Sequence, residues 1–174
     1  SAALAITNGT QGGSEDNREK KVSLVASRVN PRYRAGVSFS HNQAPGVRRV
    51  MAGVFGGLLY GPFTVLGEFD VIDDDADASP EPGTAAAGEY GLQRLAYVEG
   101  NVQLARGISA KVAWERWDPF EDVDEDARET YRVGLEPFVT QFLQLRTFYR
   151  HRKAPPQLAE ANQDWLTVEL HAFF

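Results

Sequence analysis

Charged and polar side chains occupy alternate positions in short runs along this 174-residue chain, with mostly apolar residues between them. The basic set is Lys21, Arg49, Lys111, Arg132, Arg146 and Arg150, with Arg152 beyond it; the acidic set is Glu68, Asp70, Glu99, Glu115, Glu136 and Glu169. If each run is a β-strand, every charge in it lies on one face. A surface carrying both signs can do two things. Across an aqueous passage, opposed charges set a transverse field that biases which ions pass. Across adjacent strands, they pair and fill the space between them. Arg146, Arg150 and Arg152 with Arg132 beside them form the most one-sided group, and guanidinium groups in that arrangement attract anions such as phosphate.

Other chemistries fit less well. Asp73-Asp74-Asp75-Ala76-Asp77 and Glu121-Asp122-Val123-Asp124-Glu125-Asp126 suggest calcium. In an EF-hand register starting at Asp73 the required glycine falls on Ala78 and the closing glutamate on Thr84; the second run also lacks the glycine. Both read as solvated extracellular loops. His41, His151 and His171 share no metal-ligand spacing and suggest no pairing with a Ser or Asp in a catalytic arrangement. Without cysteine the chain attaches no haem covalently. The expectation is a non-enzymatic protein with no metal and no cofactor.

The elements that would position these charges read as ten strands, near 2–8, 20–29, 34–42, 48–59, 63–72, 91–104, 108–117, 129–138, 142–152 and 164–174. Their connections alternate in kind. Asn30-Pro31-Arg32-Tyr33, Tyr60-Gly61-Pro62, Ala105-Arg106-Gly107 and Val139-Thr140-Gln141 are tight. The stretches 10–19, 42–46, 73–90, 118–128 and 153–163 are polar and mostly longer. Short turns on one side and long loops on the other mark an up-and-down barrel of the outer membrane. Phe63, Val65, Gly67, Phe69 and Val71 then face lipid, as do Val98, Val102, Val112, Trp114, Val133, Leu135, Leu145 and Tyr149. Tyr33, Tyr60, Trp114, Tyr131, Tyr149 and Trp165 lie near strand ends, where aromatic girdles sit.

The last run is the clearest. Leu166, Val168, Leu170, Ala172 and Phe174 alternate with mostly polar residues up to the final aromatic. That pattern resembles the C-terminal signal by which bacterial outer-membrane proteins are recognised by the barrel-assembly machinery. Composition agrees with it. A net charge of −6 argues against general nucleic-acid binding. A mean hydropathy of −0.36 and the lack of any apolar run near 20 residues exclude a transmembrane helix but not a barrel, in which only alternate residues meet lipid. The expected fold is all-β, a transmembrane antiparallel up-and-down β-barrel in one domain over residues 1–174, in the bacterial outer membrane of a Gram-negative cell. Its partners would be the lipid bilayer, the assembly machinery, and either two further copies in a homotrimer or a periplasmic or extracellular protein.

Residues 3–72 resemble the phosphate-selective porin O/P family. The likeness is carried by Leu4-Ala5-Ile6-Thr7-Asn8-Gly9, by Val22–Val29 with Asn30-Pro31 and Ala35-Gly36-Val37-Ser38-Phe39, and by Gly61-Pro62-Phe63-Thr64-Val65-Leu66-Gly67-Glu68-Phe69. The resemblance implies a barrel of about sixteen strands, of which this chain would be the C-terminal portion. The pore-narrowing loop and the phosphate-selecting basic ladder of such porins would then lie elsewhere. The expected function is passive passage of small solutes or ions through an outer-membrane porin-type channel. The alternative is a structural sheath around a partner such as a multihaem cytochrome in an outer-membrane electron conduit. A soluble β-sandwich is a third reading, disfavoured by an apolar alternate face on nearly every strand.

Overall fold

A computed structural model describes residues 1–8, 20–44, 47–76, 91–120 and 125–173. Ten strands form one antiparallel sheet, each paired with its neighbours in sequence. They are β1 (Ala2–Asn8), β2 (Lys20–Asn30), β3 (Tyr33–Ala44), β4 (Val47–Tyr60), β5 (Phe63–Ala76), β6 (Leu92–Ala105), β7 (Ile108–Asp118), β8 (Arg128–Thr140), β9 (Leu143–Lys153) and β10 (Gln163–Ala172). The sheet is not closed: β1 and β10 are its edges. Among the described residues no helix is long and apolar enough to cross a membrane.

Four two-residue turns join the strands at one end, at Pro31-Arg32, Gly61-Pro62, Arg106-Gly107 and Gln141-Phe142. Each has its own local cause. Gly61 (φ 57°) and Gly107 (φ 76°) take left-handed backbone that a side chain would oppose. At the other two, a side chain closes the turn: Asn30 Oδ1 accepts from the Arg32 N–H at 3.1 Å, and Thr140 Oγ1 from the Phe142 N–H at 3.2 Å. The last turn therefore sits one residue later than Val139-Thr140-Gln141. Register slips between Gln103 and Ala105 and between Phe138 and Thr140 mark bulges beside two of these turns.

At the other end, the connection before β10 carries a 3₁₀ segment, Pro156–Ala161, kinked at Leu158. Asn162 Oδ1 accepts from the Ala154 N–H at 2.7 Å and ties that loop to β9. The expected loop 10–19, residues 77–90 of the expected loop 73–90, and residues 121–124 of the second acidic run lie outside the described residues. The first acidic run needs correction. Asp73, Asp74 and Asp75 are not loop residues; they extend β5, because Asp74 and Asp75 stand opposite Arg49 and Arg48 in the β4–β5 register.

The two faces differ sharply. One face carries Leu4, Val54, Leu58, Val112, Val133, Leu166 and Leu170, all more than half exposed. The other carries the only charged side chains that are buried among the described residues, Asp70, Asp74 and Glu99. Besides Gly53, the buried uncharged residues among those described are Ala154, Pro119 and Pro155, all outside the strands. Among the described residues there is no dry core. The buried charges lie on the polar face and most of the exposed large apolar side chains on the other, the difference expected of a sheet curled toward its polar face. Strands of up to 14 residues exceed the roughly 9–11 needed to cross a bilayer at a tilt.

Candidate functional site: the polar face

Register places Lys21, Arg49, Glu68, Asp70, Glu99, Lys111, Glu115, Arg132, Glu136, Arg146 and Arg150 all on the polar face. Five of them join one network across β6 to β10. Glu99 accepts hydrogen bonds from the Tyr97 hydroxyl and from Asn101 Nδ2 at 2.9 Å. Arg132 approaches it to 3.5 Å and Lys111 to 3.6 Å. Lys111 also reaches Glu136 at 3.4 Å, Arg146 reaches Glu136 at 3.3 Å, and Arg146 continues to Glu169 at 3.4 Å. His171 ends the series 3.1 Å from Glu169. Signs alternate along it, so each carboxylate meets cations and little net charge is left.

Phe148 sits in the middle of these cations. Its ring centroid lies 5.2 Å from the Arg146 guanidinium, 5.9 Å from Lys111 Nζ and 6.0 Å from Arg132. The ring lies over Gly134, its register partner, where a Cβ would collide with it. Phe55 lies over Gly36 in the same way, with Arg34 stacked on it at 4.8 Å. Aromatic rings shielding cross-strand glycines are a known sheet device. Here they also bring cations down onto the polar face of the sheet.

A second network occupies the end away from the tight turns. Arg49 donates two hydrogen bonds of 2.6 Å to the Asp74 carboxylate. Gln93 Nε2 adds a third at 2.9 Å, and Trp117 Nε1 donates to Gln93 Oε1 at 3.3 Å. Arg128 stacks on Trp117 at 5.0 Å, and Arg152 on Trp165 at 5.1 Å. Each strand from β4 to β8 supplies one member of this belt.

The expected basic patch is therefore divided. Arg132 and Arg146 are neutralised within the first network and Arg152 is held on an indole. Arg150 is exposed and has no carboxylate partner among the described residues. Lys21 and Glu115 are exposed and stand outside both networks. His151 does pair with an aspartate: its Nδ1 lies 2.8 Å from Asp164 Oδ1, which also accepts from the Tyr149 hydroxyl at 2.7 Å. No Ser or Thr hydroxyl is described against that His. The spacing in sequence hid this pair because antiparallel register, not proximity along the chain, brings it together. Sequence reasoning placed Asp74 only in an acidic loop and did not single out Gln93, Trp117 or Tyr97 as site residues. For Asp74 a signal existed, in the Arg48-Arg49 pair facing Asp74-Asp75 across one hairpin.

Leu166, Val168 and Leu170 line the apolar face of β10 at 62–70% exposure, and Ala172 ends the strand. Phe174 lies outside the described residues. Among the described residues no group of three His, Cys, Asp or Glu side chains could hold a metal. Comparison with known protein families and with curated proteins returned no match.

Proposed function

We propose that this chain forms the wall of a transmembrane β-barrel in the bacterial outer membrane, and that its polar face lines an aqueous passage for small solutes or ions. One observation carries the reading: large apolar side chains are exposed on one face while the buried groups on the other are carboxylates. A water-soluble protein with that surface would present far more contiguous apolar area than soluble monomers tolerate. Lipid accepts such a face, and a wet lumen accepts the other.

Closure follows from the same physics. The outer edges of β1 and β10 present backbone N–H and C=O groups, which a bilayer cannot satisfy. In the membrane they are paired, whether β1 meets β10 or further strands stand between them. An inner wall of both signs, with Arg150, Lys21 and Glu115 exposed on it, suits ion passage better than a single-sign filter.

The test is purification in detergent, heat-modifiable gel migration, and single-channel recording in a planar bilayer. Discrete conductance steps support the channel. A protein that migrates as a barrel, conducts nothing and co-purifies with a haem-containing partner is a sheath instead. Full solubility without detergent overturns both.

A further inference from the structure

A second feature of the polar face lies outside both networks. Ser38, Gly53 and Asp70 are register partners on the adjacent strands β3, β4 and β5. Gly53 has no side chain, so a pit opens between its neighbours. Asp70 leans into it from β5: a methyl group at Gly53 would collide with Asp70 Oδ1 and stand 2.7 Å from Ser38 Oγ. Asp70 is only 7% exposed. Its Oδ1 has no hydrogen-bond partner, and neither has Ser38 Oγ. Two buried oxygens thus face one pit without bonding each other. Glu68, two residues along β5 on the same face, lines the adjoining cavity of about 360 Å³ with Ser38, Arg34 and Tyr97.

An unpaired buried carboxylate oxygen is unfavourable, so the pit calls for an electropositive occupant. We propose that Asp70 and Ser38, with Glu68 at the mouth, form a subsite for a small hard cation such as Ca²⁺ on the inner wall. Carboxylate and hydroxyl oxygens are the ligands such ions take. Two carboxylates and one hydroxyl do not complete a coordination shell, so the ion keeps part of its water. The affinity is then weak, with a Kd on the order of 10⁻⁴–10⁻³ M. The inference rests on the barrel reading only in placing this wall around a lumen.

The experiment is a Tb³⁺ luminescence titration of the whole protein in detergent micelles, excited through tyrosine and competed with Ca²⁺. Tyr97 lines the same cavity and acts as the antenna. Asp73 and Asp75 are first changed to Asn to remove the acidic strand end as a background binder. Against that background, Asp70→Asn and Gly53→Ala should each abolish one saturable, Ca²⁺-competed site, and Ser38→Ala should weaken it several-fold. Heat-modifiable migration identifies any variant that fails to fold, and Ser38→Ala, the mildest change, keeps the question open to refutation in that case. Identical titrations for the parent, Asp70→Asn and Ser38→Ala overturn the proposal and leave a water molecule as the occupant. The luminescence does not require conductance, so a protein that binds Tb³⁺ through Asp70 yet forms no channel overturns only the channel.

Discussion

Asp74 is almost inaccessible and Arg49 is half exposed, so their ion pair breaks asymmetrically. Removing the arginine strands a buried carboxylate with Gln93 as its remaining donor; removing the carboxylate releases an arginine that water can reach. Arg49→Ala should therefore destabilise the protein by about 2–3 kcal/mol, and Asp74→Asn by about 1 kcal/mol. Urea titration in detergent or vesicles measures both. Equal losses would mean that water already reaches Asp74. Gly134→Ala drives a methyl group into the Phe148 ring, and overpacking of this kind costs about 1–3 kcal/mol. Asp126, in the loop before β8, gives a pH dependence. Burial, then the charge of Asp118 and a hydrogen bond to it, raise the Asp126 carboxyl above the ordinary carboxylate range. The folded state thus holds a proton that the unfolded state releases near an ordinary value of about 3.9. The contribution is complete in acid and is lost as pH rises through the raised folded value. Carbon NMR of the Asp126 carboxyl should show an elevated midpoint that falls in Asp118→Asn. A midpoint unchanged by that substitution would leave desolvation as the only cause.

At the scale of elements, alternation was the legible signal. A period of two over 7 to 14 residues places all ten strands within a few residues of their observed bounds, because one face must be apolar for its whole length. The tight turns were legible through Gly61 and Gly107, whose left-handed backbone few other residues accept. The turn after β8 slipped by one because Thr140 closes it with a side-chain oxygen, and Gln141-Phe142 carries no turn signature of its own. The end of β5 was illegible for another reason. Three successive aspartates read as loop until β4 sets Arg48 and Arg49 against two of them. That is pairwise information, absent from any single segment. The polar-face networks were likewise half legible: alternation selects the face, but side-chain length and register select the partner, as with Arg146 bridging Glu136 and Glu169. The face assignment has a direct consequence. Val168 lies on the apolar face of β10 and Ser23 on the polar face of β2. In vesicles Val168→Arg should cost about 2–4 kcal/mol, as for a cation held in hydrocarbon. Ser23→Arg should stay within about 1 kcal/mol. Urea titration of the membrane-inserted protein reads the difference, and equal losses would place both faces in the same medium.

For the proposed barrel as a whole, the decisive quantity is the charge left uncompensated on the polar face. The network from Arg132 to Glu169 cancels itself sign by sign, so it stiffens the wall more than it polarises it. In the proposed channel, the exposed charges outside it are those that would act on passing ions, and Arg150 is the clearest cation among them. A unit charge about 8 Å from an ion in water is worth about 0.5 kcal/mol, or roughly a twofold change in local ion concentration. Arg150→Gln should therefore shift the anion-to-cation permeability ratio about twofold toward cations. Glu136→Gln acts in the opposite sense, since it leaves Lys111 with Glu99 and Arg146 with Glu169 while removing one negative charge from their midst. Part of that change is absorbed by the remaining pairs, so its shift toward anions should be smaller than that of Arg150→Gln. Reversal potentials under a salt gradient measure both, and raising the ionic strength should shrink both as the Debye length falls below the lumen radius. A channel whose selectivity ignores Arg150 but follows Glu136 would mean that the network, not the exposed cations, faces the ions. The wall would then be read as a paired ladder filling a narrow lumen.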